Sequence, residues 1–235
     1  MNQPLTVFPV ALEGEVLPGE KLADRIIAGL KAAGLELAGG DVLVVTHKIV
    51  SKAEGRLSPA PEDDDAREAL IASEAVRIVR RRGRLIIAET KHGFVCANAG
   101  VDSSNVEPGW VCLLPVDPDK SARRIRSRLR VLAKVDVGVI ISDTFGRAWR
   151  TGQTNVAVGL AGITALHKYQ GTCDSFGSML FVTSIAVADE LAGAGELVMG
   201  KAEGIPVALV RGAPVKFGRS SAAELVRTPN EDLFR

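Results

Sequence analysis

The chain has 235 residues, 46% of them hydrophobic, with 29 basic and 28 acidic residues and a formal net charge of +1. That length and apolar content suffice for one sizeable core, or for two small lobes sharing one. The even charge balance argues against a nucleic-acid or membrane surface, the 4% aromatic content against base-stacking platforms, and the shortness of apolar runs such as Val135 to Ile141 against a membrane span.

The opening MNQPLTVFPVALEGE lacks a basic n-region and a small-residue cleavage site, so no signal peptide is expected. Short runs rich in Val, Ile and Leu predict strands over Leu5–Val10, Val42–Thr46, Leu85–Glu89, Trp110–Leu114, Val135–Ser142, Gly162–Leu166 and Val207–Val210. Apolar residues recurring at three and four positions predict helices over Lys21–Ala33, Asp64–Arg82, Pro118–Leu132, Ser178–Met199 and Ala222–Arg227. The prolines of SPAPEDDD, residues 58–65, end one element, and its acids suit the first turn of the next helix. Lys91 to Asn105 and Asp143 to Asn155 are polar and glycine-punctuated, and read as loops that build a site. Strands and helices alternate only loosely, so the expected class is α+β, with mixed sheets packed by helices in one domain over residues 1–235.

The three cysteines, Cys96, Cys112 and Cys173, form no CxxC pattern, and their odd number argues against a disulfide framework; a reducing cytoplasm is the simplest compartment. Cys173 near His167 lacks a third orienting group and is expected to be a small buried thiol, not a nucleophile. With only three histidines, a metal here is expected to be held by oxygen, which favours magnesium, manganese or calcium.

The sharpest motif is VDVGVIISDTFGRAWRTGQTN, residues 135–155. An apolar strand runs into Ser142, Asp143 and Thr144, which aims a carboxylate and a hydroxyl into whatever cleft the strand exits. Arg147 and Arg150 follow, and guanidiniums beside a metal-binding carboxylate suit polyphosphate; the plainer reading is a strand end with two solvated or ion-paired arginines. In HGFVCANAGVDSSNV, residues 92–106, Asp102 suits a second carboxylate on the same metal and Asn105 a nucleotide base or ribose. The plainer reading there is an Asx-turn loop. In THKIVSKAEGR, residues 46–56, His47 and Lys52 suit phosphate or ribose, against a plainer reading of a solvated lysine. Two near misses to a phosphate loop, GEVLPGEK (14–21) and GELVMGKA (195–202), lack the required lysine or hydroxyl, so a P-loop is not expected. No G-x-S-x-G elbow is present.

THKIVSKAEGR, NAGVDSSNV, SDTFGRAWRTGQTNVAVG and ADELAGAGELVMGKAEGIPVALVRG together resemble the coenzyme F420-0:L-glutamate ligase family, also called gamma-glutamyl ligase, in the right order across essentially the whole chain. The resemblance implies an α+β fold without a P-loop, a homodimer, and a stand-alone ligase without a nitroreductase-like extension. It implies GTP-dependent addition of L-glutamate to coenzyme F420-0 and extension of a poly-gamma-glutamyl tail in coenzyme F420 biosynthesis. Magnesium or manganese, and often potassium, would take part. By this resemblance Pro9, Val10, Ala11, Leu12, His47, Lys52 and Asn105 fall where GTP is contacted, as does the segment Met199 to Pro206 with Gly200 and Lys201. Asp102, Asp143 and Thr144 fall where divalent metal is held, and Arg147 and Arg150 are expected to stabilise the transferring group.

The chain departs from the family pattern in two places. Position 201 is often Gln or Glu in relatives and helps hold a second metal; here it is Lys201. Near Lys168 and Gln170 an acid and an arginine are common in relatives, so substrate contacts differ there. The chemistry that follows is transfer of the gamma-phosphoryl group of GTP to a carboxylate, then attack of the glutamate amine on the acyl phosphate. A GTP-binding sensor without ligase activity, or a metal-dependent phosphatase, would present the same loops.

Overall fold

The computed structural model describes residues 4–232. In chain order they form β1 (Thr6–Val10), α1 (Leu22–Ala32), β2 (Val42–Thr46), α2 (His47–Ala53), β3 (Leu57–Pro59), α3 (Asp64–Glu74), β4 (Ala75–Arg82), β5 (Leu85–Thr90), β6 (Val95–Ala97), β7 (Trp110–Cys112), α4 (Pro118–Ala133), β8 (Gly138–Arg147), β9 (Arg150–Ala161), β10 (His167–Lys168), β11 (Ser184–Ile185), α5 (Val187–Met199) and β12 (Val207–Arg211). The class is α+β. No helix among the described residues is long and apolar enough to cross a membrane.

The central sheet has the order β1-β12-β2-β8-β9. Only β2 and β8 run parallel; the other neighbours are antiparallel. Val42 to Val45, Val139 to Ile141 and Val207 to Val210 are all fully buried. Such unbroken apolar runs are what strands covered on both faces require. The helix α4 packs on β8 and β9, and α5 on β9, β12 and β1. Asp117 caps α4 by accepting from Lys120 N at 2.8 Å, with Pro118 in the first turn and Lys134 in the left-handed conformation at its end. The buried Asp41 takes two bonds from Arg211, at 2.8 and 2.7 Å, which ties the start of β2 to the end of β12.

A second, three-stranded sheet, β4-β5-β6, packs a small cluster of Ile71, Ile86, Ala88 and Ala99. Here the expected helix 64–82 stops at Glu74 and its second half is β4. Val76, Ile78 and Val79 are β-branched and disfavour helix, and Arg77 reaches across to Glu89 of β5 at 2.7 Å. Four other expectations change. Asp143 to Asn155 is not a loop: it is most of the β8–β9 hairpin. Residues 162–166 make only an isolated bridge, Ile163 to Phe217. The helix expected from Ser178 begins at Val187, because residues 169–183 form an arm held by its own backbone bonds, such as Gly171 N to Leu180 O. That arm has no core behind it, so Cys173 is exposed, contrary to the expected buried thiol.

Asp189, in the first turn of α5, accepts the Ala157 N–H of β9 at 2.8 Å. Burial pushes its carboxyl above the ordinary value, against the lowering effect of that bond. A raised folded-state pKa favours the protonated form, so the group's contribution is most favourable at low pH and declines as pH rises through the folded pKa. Asp189→Asn keeps the acceptor and removes the charge. It is expected to raise stability at pH 7 by about 1 kcal/mol or less, since the helix N-terminus partly compensates the charge, with no gain near pH 3. Urea melts at the two pH values check this; a loss at pH 7 equal to that at pH 3 would speak against it.

Candidate active site

The adjacent ends of the parallel strands β2 and β8 place Thr46 opposite Ser142. There β2 turns into α2 while β8 continues into Asp143 and Thr144. The carboxyl ends of parallel strands are where open sheets leave a crevice. Here a cleft of about 860 Å³ opens, walled also by Leu12 to Val16, Ala97 to Glu107 and Met199 to Pro206.

Asp143 is fixed through one oxygen. Its Oδ1 accepts Thr144 N at 2.7 Å and lies 3.2 Å from His47 Nε2, close but not aligned for a hydrogen bond. Its Oδ2 takes no bond from a described residue and is free for a ligand. His47 is itself buried, with Nδ1 3.5 Å from Ser51 Oγ. Thr144 Oγ1 donates to Asn155 Oδ1 at 2.6 Å and accepts from Lys201 Nζ.

Asp102 stands in the Ala97–Glu107 wall. Its carboxylate accepts Lys48 Nζ at 2.7 Å, Ser104 N at 2.9 Å and Ser104 Oγ at 2.8 Å. Burial alone pushes this carboxyl up, but the bonds from Lys48 and Ser104 outweigh it and hold it below its ordinary value. It is therefore ionised at neutral pH. Asn105, with φ of 56°, donates from Nδ2 to the Lys201 carbonyl at 3.3 Å and links two walls. Lys52 pairs with Glu15, and Lys201 with Glu196 at 3.1 Å.

The cleft wall thus carries three lysines, Lys48, Lys52 and Lys201, against five carboxylates: Glu15, Asp102, Glu107, Asp143 and Glu196. Two negative charges are in excess, so a polyphosphate would not be held here without an added cation. The free Oδ2 of Asp143 and the ionised Asp102 suit a hard divalent ion such as magnesium or manganese. No group of three or more His, Cys, Asp or Glu among the described residues could hold a metal by itself. The donor set therefore fits an ion whose remaining ligands are water and substrate oxygens, as is usual for magnesium. Cys96 and Cys112 lie close by, but burial pushes their thiols up to about 12 and about 11, with Asp143 adding to the rise at Cys96. Neither is a thiolate nucleophile at neutral pH.

Of the expected site residues, Leu12, Lys52, Asp102, Asn105, Asp143, Thr144, Met199, Gly200 and Lys201 line this one cleft. Pro9, Val10, Ala11 and His47 are not on its wall: Val10 is core, and His47 is buried behind Asp143. Arg147 and Arg150 stand at the exposed tip of the β8–β9 hairpin, where Arg147 bonds the Thr151 carbonyl at 2.6 Å. Glu15, Lys48, Asn155 and Glu196 are wall residues that the motifs did not single out. Lys48 sits beside His47 in the THK run, and Asn155 closes the GQTN run; only the pairing partners were missing.

A model of the F420-0:Gamma-glutamyl ligase family matches residues 13–212 of the chain. The chain is 44% identical to the coenzyme F420:L-glutamate ligase of Methanopyrus kandleri, over 98% of both chains. It is 42% identical to that of Methanothermobacter thermautotrophicus, over 96% of this chain and 98% of the relative. It is 40% identical to that of Methanocaldococcus jannaschii, over 96% and 97%.

Proposed function

The chain belongs to the F420-0:gamma-glutamyl ligase family, and from that premise we propose that it joins L-glutamate to coenzyme F420-0 in coenzyme F420 biosynthesis, driven by GTP, and extends the gamma-glutamyl tail. The observation that carries the ligase reading is the whole-length match to relatives named for that activity. GTP rests on the sequence resemblance, supported by a cleft whose lysines and carboxylates suit a metal–polyphosphate.

In this mechanism the acceptor carboxylate attacks the gamma-phosphorus of GTP and GDP leaves. The glutamate amine then attacks the acyl carbon and inorganic phosphate leaves. Asp102 and Asp143 would hold the divalent ion, which supplies neutralisation of phosphate charge when bound. Lys52 faces the same space: its partner Glu15 is itself largely exposed, so a phosphate oxygen can replace that carboxylate on the ammonium. His47 lies directly behind Asp143, with Nε2 3.2 Å from its Oδ1. The protein's work is positioning and charge compensation in a partly desolvated cleft.

Incubation with GTP, Mg2+ or Mn2+, glutamate and coenzyme F420-0 is expected to yield acceptor masses rising by successive glutamyl units, with one GDP and one phosphate per unit. Phosphate release that needs neither glutamate nor acceptor, with no mass gain, would assign the site to a phosphatase. GTP binding without turnover would assign it to a sensor.

A further inference from the structure

Lys201 places its ammonium in a corner of the cleft built to receive a cation. Its Nζ donates to Thr144 Oγ1 and lies 3.1 Å from Glu196 Oε1. Thr144 spends its own proton on Asn155 Oδ1 at 2.6 Å. Asn155 is buried in β9, so that hydroxyl is fixed with its lone pairs toward the cleft. The carbonyl of Lys201 is in turn held by Asn105. The helix α5 ends just before, at Met199, and its carbonyl end adds partial negative charge. An acceptor-oriented hydroxyl and a carboxylate meet at one point just past the end of α5, and the group lodged there is the chain's own side chain.

We propose that Lys201 is a built-in monovalent cation that occupies this corner in place of a metal ion, so that the chain binds one divalent ion, on Asp102 and Asp143. This deepens the metal-dependent reading given above and rests on its metal part, not on the identity of the nucleotide. Two consequences follow from charge alone. An ammonium on Thr144 repels a divalent ion from that hydroxyl and leaves Asp143 Oδ2 as the available oxygen on β8. A fixed cation also offsets one of the five wall carboxylates without depending on free metal concentration, and the excess of two is what remains after it.

The test counts manganese. Free Mn2+ is followed by electron paramagnetic resonance in titrations of the wild-type chain, Lys201→Gln and Lys201→Met. Each titration is made with and without guanosine 5′-(β,γ-imido)triphosphate, with nucleotide retention measured by equilibrium dialysis in the same samples. Lys201 is largely exposed, so all three chains are expected to fold, which thermal melts check. The expected result is one tight Mn2+ per chain for wild type and Lys201→Met, and two for Lys201→Gln, whose amide oxygen can ligate. Two ions on the wild-type chain, or no gain in Lys201→Gln, overturns the proposal. A gain in Lys201→Gln with no retention of the nucleotide by any chain upholds it and sinks the GTP reading instead.

Discussion

Asp143→Asn is expected to abolish glutamyl ligation, with a fall in turnover on the order of a thousandfold, equivalent to about 4 kcal/mol of transition-state stabilisation. The substitution is the least disruptive available. The new amide oxygen can still accept Thr144 N, the bond that Asp143 Oδ1 makes at 2.7 Å, so the end of β8 keeps its local support. What is lost is the negative charge and the free Oδ2 that faces the cleft. Metal affinity should fall in parallel. Mn2+ titration of the folded variant and single-turnover mass spectrometry of the acceptor, at saturating GTP and glutamate, measure the two effects separately. Turnover within tenfold of wild type in saturating Mn2+ would remove Asp143 from the metal. His47→Ala provides the graded comparison: it removes a group 3.2 Å behind Asp143 without touching the cleft wall. A positioning residue of this kind is worth about 10- to 100-fold in metal affinity, so the effect should be smaller than that of Asp143→Asn and should appear in Mn2+ affinity before it appears in turnover.

The residues that build the site were legible where chemistry breaks an apolar pattern. Val42–Thr46 and the apolar stretch before Ser142 read as strands because strands covered on both faces need continuous apolar runs, and the polar residues following them had to face a cleft or solvent. Asp143 and Thr144 were singled out that way, and Asp102 and Asn105 by a dense polar run inside an apolar region; with Lys52 they line the cleft. The strand β9 was not legible, because its first half, Arg150 to Thr154, runs beyond the core. It is held there by backbone pairing with β8, with Thr144 opposite Asn155 and Gly146 opposite Gln153. Backbone pairing makes no demand on side-chain hydrophobicity, so the segment looks like a loop. For the same reason a sequence shows two guanidiniums, Arg147 and Arg150, close to Asp143 but not that a hairpin carries them to its exposed tip. Pairings between distant segments, Lys48 with Asp102 and Lys52 with Glu15, were equally out of reach, since in the sequence each partner alone reads as an ordinary surface charge. Those pairings decide which charges of the cleft wall are already partnered.

The position of β9 depends on a residue with no chemistry at all. Gly159 faces the first turn of α4 so closely that a Cβ there would lie 2.5 Å from both the carbonyl carbon and the Cβ of Pro118. The near contact includes backbone at a capped helix start, which cannot rotate away as a side-chain tip would. It also has a purpose. At this separation Asp119 Oδ1 reaches the Leu160 N–H of β9 at 2.8 Å, while Asp119 Oδ2 takes Ser221 Oγ at 2.5 Å. Pushing α4 away would strain the packing and strip a buried amide of its acceptor together. Gly159→Ala is therefore expected to cost about 3 kcal/mol, the upper range for overpacking, and to lower the melting temperature by about 10 °C for a chain of this size. Gly146, in β8 of the same hairpin, is the control: a Cβ there meets nothing within 4 Å, and Gly146→Ala should stay within about 0.5 kcal/mol of wild type. The comparison reaches the site because β9 carries Asn155, which orients the Thr144 hydroxyl. Once folded at low temperature, Gly159→Ala should show weakened selection at the Lys201 corner, whereas Gly146→Ala should not. Melting of Gly159→Ala within 2 °C of the control would show that α4 can withdraw freely, and that β9 is placed by its pairing with β8 alone.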